Sequence, residues 1–275
     1  MSQAKNPLAR RRFLNAGLVA GCSCFFPGQL LAAQSAGKVA VDSARSQRLQ
    51  GEFEGLSQGA QAWLTPRVGQ AQAAAVATQS RACFAALIGS IPDIGSDNRN
   101  QESLIEAAWL TAIAQAMQAS GLPLRDAGRL FYDLCAREMA QSRAADAHAK
   151  GQVMFSPQGR DSLKRWADGT QQRRYPGDWV AVAVFGDGQT FDVGYDYSAC
   201  GAAKFFAAHG VAGVAPYFCL NDFTLSRSQG TGLTRSHTIG QGDALCDFRY
   251  KQDGAVSQSW ESEVPRFEKM LTASS

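Results

Sequence analysis

The chain contains no Cys-x-x-Cys pair and only three histidines among its 275 residues. That removes the usual sequence frames for structural zinc and for dithiol redox exchange. His148 and His209 stand in polar or glycine-flanked surroundings and have no evident chemical role, which leaves His237. No apolar run reaches the ~20 residues needed to span a bilayer, since the one near the N-terminus extends only from Ala16 to Phe26. Internal repeats and low-complexity tracts are also missing, so a solenoid or a disordered array is excluded.

What the N-terminus does have is Ala9-Arg10-Arg11-Arg12-Phe13-Leu14, the apolar run after it, and small residues at Ala32-Ala33. This is a twin-arginine export pattern, so residues 1–33 are expected to be removed by processing and the protein to be periplasmic. The twin-arginine translocase is the implied partner. A second reading takes Val19-Ala20-Gly21-Cys22 as a lipoprotein box that leaves a lipid on Cys22. Losing Lys5, Arg10, Arg11 and Arg12 takes the formal charge from +3 to about −1, and no basic excess remains to attract nucleic acid.

About 240 residues then remain, enough for one sizeable core. Five of the seven cysteines stay: Cys83, Cys135, Cys200, Cys219 and Cys246. An odd number leaves at least one thiol free or paired with another molecule.

Residues 34–61 read as a polar leader with a short helix, residues 62–253 as a single α+β domain and residues 254–275 as a C-terminal tail. Thr65-Pro66 resembles a helix start, with an alanine-rich helix running on to Ile88. Pro92 and Gly95 break the pattern. Leu104, Ile105, Ala108, Trp109, Ala112, Ile113 and Met117 follow helical spacing from Glu102 to Ser120, with Gly121 as terminator. A further helix is expected from Pro123 to Met139, then polar helical stretches at 140–150 and 160–168. Near Tyr175 the character changes. Residues 179–185 and 190–195 flank Gly186-Asp187-Gly188 as a hairpin, two helices follow at 200–208 and 214–228, and a second hairpin spans 233–250. The fold class is therefore α+β: N-terminal helices, then strand-strand-helix-helix-strand-strand with a mostly antiparallel sheet.

The second hairpin carries the chemistry. Leu233, Arg235, His237 and Ile239 alternate onto one face of its first strand, and Cys246, Phe248 and Tyr250 onto one face of its second. If those faces turn inward, Arg235 and His237 are buried beside a thiol, and a buried arginine requires an anion. A register slip of one residue would instead set them beside Asp247 and Arg249 in solvent. The preceding helix puts Asp222 and Cys219 three residues apart on an apolar face. Asp222 is either a base of raised pKa or the structural partner of Arg235. Cys219 and Cys246 are each a nucleophile or a wall, and Cys200 at a helix start has the same two readings. No cofactor is expected; the alternative is a divalent metal on His237, Asp222 and a cysteine.

Asp196-Tyr197 with Cys200, Tyr217-Phe218-Cys219 with Asp222, Leu233-Thr234-Arg235 with Thr238 and Gly242, and Cys246-Asp247-Phe248-Arg249 form an ordered set. In that order they resemble the L-2-amino-thiazoline-4-carboxylic acid hydrolases, and the resemblance reaches back through the Leu104 to Met117 helix to Ile94-Gly95. The C-terminal part is also similar to 4-vinyl-reductase-type domains, which bind small hydrophobic molecules. The first resemblance implies a hydrolase that opens a cyclic amidine bearing a carboxylate, such as 2-aminothiazoline-4-carboxylate to N-carbamoyl-cysteine. Under it, Asp222 or His237 is the base, Cys219 or Cys246 a nucleophile or pocket wall, and Arg235 the carboxylate clamp, with Thr238 and Asp247 beside the substrate. The second implies a periplasmic binding protein without activity. No pattern sets an oligomeric state.

Overall fold

The computed structural model describes residues 43–95 and 97–273. The export pattern of residues 1–33, the Cys22 box and the first part of the leader lie outside the described residues. Ten α-helices and a four-stranded sheet make up the described chain, an α+β arrangement with its helices first.

The first helix, α1 (Ser43–Val68), is far longer than a short leader helix. Leu49, Phe53, Leu56, Ala60 and Trp63 recur at helical spacing and are buried, so this segment is core; the polar residues between them hide the stripe. Thr65 and Pro66 sit in its last turn rather than opening a helix, and Thr65 Oγ1 donates to the Gln61 carbonyl. The reversal comes at Gly69, whose φ of 83° a side chain would resist, and α2 (Gln70–Leu87) returns along α1. Phe53 stacks on Phe84 across this helical hairpin, with ring centroids 4.5 Å apart.

Helix α3 (Gln101–Ala119) is the centre of the helical layer. Beyond its expected stripe it also buries Ala107, Leu110 and Ala114, because α2, α4 (Leu124–Gln141) and α7 (Gly201–Ala208) enclose it. Two shorter helices, α5 (Ala144–Gln152) and α6 (Pro157–Thr170), lead to the sheet.

Strands β1 (Val180–Phe185), β2 (Val193–Ala199), β3 (Leu233–Thr234) and β4 (Cys246–Tyr250) pair antiparallel in the order β1-β2-β4-β3. β2 begins later than expected, so its pairing with β4 sets Tyr195 opposite Phe248 and Tyr197 opposite Cys246. One face thus gathers Tyr195, Tyr197, Cys246 and Phe248, all buried. The other carries Asp196, Asp247 and Arg249, with Arg249 Nη1 2.7 Å from Asp196 Oδ1.

Two further expectations change. The single helix over 214–228 is interrupted, giving α8 (Ala215–Phe218) and α9 (Asn221–Gln229) with Cys219 and Leu220 at the break. The segment expected as a tail forms α10 (Trp260–Ala273), whose Trp260, Val264 and Phe267 are buried. Tyr217 joins it to α8, stacking on Trp260 and donating from its hydroxyl to Glu268 over 2.9 Å.

Candidate active site

The inner face of the sheet, the α8–α9 break, the first turn of α3 and the start of α7 enclose a cavity of about 120 Å³. Tyr195, Tyr197, Phe248 and Tyr250 supply its aromatic wall, and Cys200, Cys219 and Cys246 its sulfur. Asp222 and Arg235 bring opposite charges into it.

Asp222 lies in the first turn of α9, where the helix dipole favours a carboxylate. Its Oδ2 accepts from Arg235 Nη1 at 2.5 Å. The other oxygen makes no hydrogen bond to the described residues, and 26% of the side chain remains open, toward the cavity it lines. Burial raises the Asp222 pKa above its ordinary value, and the charge of Arg235 pulls against that rise.

Arg235 is only 3% open at the side chain. Besides Asp222 it donates from Nη2 to the Cys219 carbonyl at 2.8 Å. That carbonyl is available because the helix breaks there: the Phe223 N–H turns to Leu220 instead of Cys219. The guanidinium also sits between the rings of Phe223 and Phe248, at 5.0 and 4.9 Å from their centroids. Burial opposes its charge, but the Asp222 carboxylate holds it firmly protonated. The anion required by a buried arginine is therefore Asp222 itself.

The register question resolves in neither of the two expected ways. β3 ends after Thr234, so the alternation stops. Arg235 turns inward while His237, 60% open, faces solvent with Nδ1 3.7 Å from Asp243. Asp247 is the cause: its Oδ1 accepts from the backbone N–H of both Ser236 and His237, at 2.8 and 2.6 Å, and pins the loop outward. Asp247 is thus a loop clamp on the outer face, away from the cavity, and His237 does not reach Asp222. The triad of His237, Asp222 and a cysteine does not form, and among the described residues no cluster of three or more His, Cys, Asp or Glu side chains is arranged to hold a metal.

Thr238 is buried behind the cavity wall, its hydroxyl 3.4 Å from Cys219 Sγ and 3.5 Å from Cys246 Sγ. Gly240 lets the following turn press on the same spot, since a Cβ there would lie 2.9 Å from Cys219 Sγ. Cys200, Cys219 and Cys246 are unbridged. Burial pushes the Cys219 thiol up to about 12 and raises Cys200 and Cys246 too. None is a thiolate at neutral pH, which suits a wall and not a resting nucleophile.

Arg99 and Ser103 line the cavity as well. The only signal for them in the sequence is position, at the start of the apolar stripe of α3.

The α+β domain thus carries a buried acid–arginine pair in the wall of a partly open, largely aromatic cavity. The family model of L-2-amino-thiazoline-4-carboxylic acid hydrolase matches residues 102–250, more than half of the chain, and the chain belongs to that family. No curated protein and no solved structure matches it.

Proposed function

We propose that this protein hydrolyses a small cyclic amidine bearing a carboxylate, with 2-aminothiazoline-4-carboxylate as the leading substrate and Asp222 as general base. The observation that carries the reading is the Asp222 carboxylate on the cavity wall, one oxygen held by Arg235 and the other unpaired. A base needs a free lone pair, a raised pKa and a fixed orientation, and Asp222 combines the three. Family membership supports hydrolysis as the reaction class.

In this reading a water molecule held by the free Asp222 oxygen adds to the amidine carbon, and the ring carbon–sulfur bond breaks. The water oxygen becomes the urea oxygen. One of its protons ends on the ring nitrogen and the other, by way of Asp222, on the departing sulfur. Arg235 is a positioning residue that keeps Asp222 ionised and aimed. The neutral thiols form the wall, and the chemistry calls on no cofactor. The twin-arginine pattern supports a periplasmic setting reached through the translocase.

The test is thiol release from 2-aminothiazoline-4-carboxylate by the purified protein, followed with a thiol-reactive dye. Wild type is expected to turn over, and Asp222→Asn to lose about 10²- to 10⁴-fold in kcat, the range of a general base. Substrate left intact by wild type after long incubation sinks the reading. A ligand retained in native mass spectrometry without turnover would favour the binding-protein alternative.

A further inference from the structure

We infer that Arg99, with the Ser103 hydroxyl, is the anchor for the substrate carboxylate; the inference rests on the hydrolase reading for the identity of the substrate, but not for the presence of an anion. Arg235, the obvious candidate, is already neutralised by Asp222 and bound to the Cys219 carbonyl. Arg99 makes no ion pair or hydrogen bond among the described residues. Its guanidinium lies over the Trp166 ring, 4.7 Å from the centroid, and it lines the cavity. Stacking of this kind fixes the plane of the fork and leaves its N–H edge for a carboxylate.

Charge balance gives the same result. With the cysteines and tyrosines of the wall neutral, the cavity carries Asp222 against Arg235 and Arg99, an excess of one positive charge. A monocarboxylate supplies the missing unit.

Ser103 is an independent observation. It is 1% exposed, it lines the cavity, and its hydroxyl makes no hydrogen bond among the described residues. Its hydroxyl keeps access to the cavity and is available to a ligand atom. Ser103 lies in the first turn of α3, where the dipole favours an anion, and Arg99 lies just before that helix. Trp166 also forms part of a second, open cleft of about 450 Å³ lined by Arg165, Arg173 and Arg174 together with Asp97 and Asp178. Arg99 lies just before residues 102–250, the part of the chain that matches the family.

The test compares 2-aminothiazoline-4-carboxylate with 2-amino-2-thiazoline, the same ring without the carboxylate. In Arg99→Gln the preference for the carboxylate, read as the ratio of kcat/KM values, is expected to fall about 10- to 100-fold, the value of one charged hydrogen-bonded contact. The loss should lie in KM, with Arg99→Lys recovering part of it and Ser103→Ala losing less. An unchanged ratio in Arg99→Gln overturns the inference and leaves the hydrolase reading standing. Binding of thiazolidine-4-carboxylate, measured by calorimetry, separates the two claims. Arg99-dependent binding in a protein that turns over neither ring would keep the anchor and remove the reaction. Equal affinity in wild type and Arg99→Gln would remove the anchor.

Discussion

Arg235 Nη1 and Asp222 Oδ2 lie 2.5 Å apart inside the cavity, and the same guanidinium holds the Cys219 carbonyl at the helix break. One side chain therefore orients the acid and closes the interruption between α8 and α9. Arg235→Met would leave Asp222 buried without a counter-ion, and breaking a buried pair in this way costs about 3–5 kcal/mol. It should also move the acid limb of kcat/KM to higher pH, because burial already raises Asp222 and only Arg235 opposes it. Arg235→Lys keeps the charge but cannot span both acceptors, so kcat is expected to fall about 10²-fold, as for a misplaced catalytic group. Denaturant unfolding and the pH profile check the two effects separately. An acid limb unmoved in Arg235→Met would show that Asp222 is not the titrating base.

The sulfur-lined wall makes an opposite prediction. Cys219 and Cys246 face the cavity as neutral thiols, with Thr238 between them. Cys219→Ser and Cys246→Ser, taken singly, should each keep kcat within about tenfold of wild type, whereas loss of a true nucleophile costs about 10³-fold or more. Iodoacetamide should label either thiol slowly at neutral pH and fast only after unfolding. Rapid labelling of the native protein, or a collapse of activity in one variant, would reinstate a cysteine nucleophile.

How far the sequence was legible follows from which residues carry a periodic signal. The stripe of α3 from Leu104 to Met117 stood out because it is almost purely apolar, and the inward set of Cys246 and Phe248 followed from strand alternation. The partnership of Asp222 with Arg235 was visible as a buried cation in need of an anion, with the structural partner left as one of two readings. The side to which His237 turns was not, because alternation holds only while a strand lasts. β3 ends at Thr234, and two backbone hydrogen bonds to Asp247, which no local pattern announces, set the rest of the loop. The helix break at Cys219 was hidden for a related reason: Arg235, sixteen residues away, takes the carbonyl that a continuous helix would use. Arg99 was missed because a lone arginine before a helix is indistinguishable from a solvated one until Trp166 is seen beneath it.

Helix α10 was also missed, although Trp260, Val264 and Phe267 follow the i, i+4, i+7 spacing of one helix face, because Pro265 and the charged residues around them suggested a tail. Trp260 nonetheless stacks on Tyr217, 5.4 Å between centroids, next to the α8 segment that leads into Cys219. Trp260→Ala is expected to lower the unfolding free energy by about 3–5 kcal/mol, as for a large buried aromatic. A chain ended at residue 254 should fare worse. A loss below about 1 kcal/mol in Trp260→Ala, measured by urea unfolding, would mean that α10 only decorates the surface.

His209 supplies a pH dependence that does not pass through the site. Its ring packs on Phe205 with centroids 4.1 Å apart, and its Nε2 lies 3.4 Å from Ser90 Oγ. Burial pushes its pKa down from 6.5 to about 4. The unfolded chain therefore takes up a proton as the pH falls through 6.5, while the folded chain resists until about 4. Stability follows the state that binds fewer protons, so this residue's contribution is intact above pH 6.5 and is lost progressively down to pH 4. His209→Gln keeps a polar side chain without the titration. Its unfolding midpoint should fall less steeply than that of wild type between pH 6.5 and 4, and the two curves should run parallel above that window. Curves that stay parallel throughout would assign the acid sensitivity to the carboxylates instead.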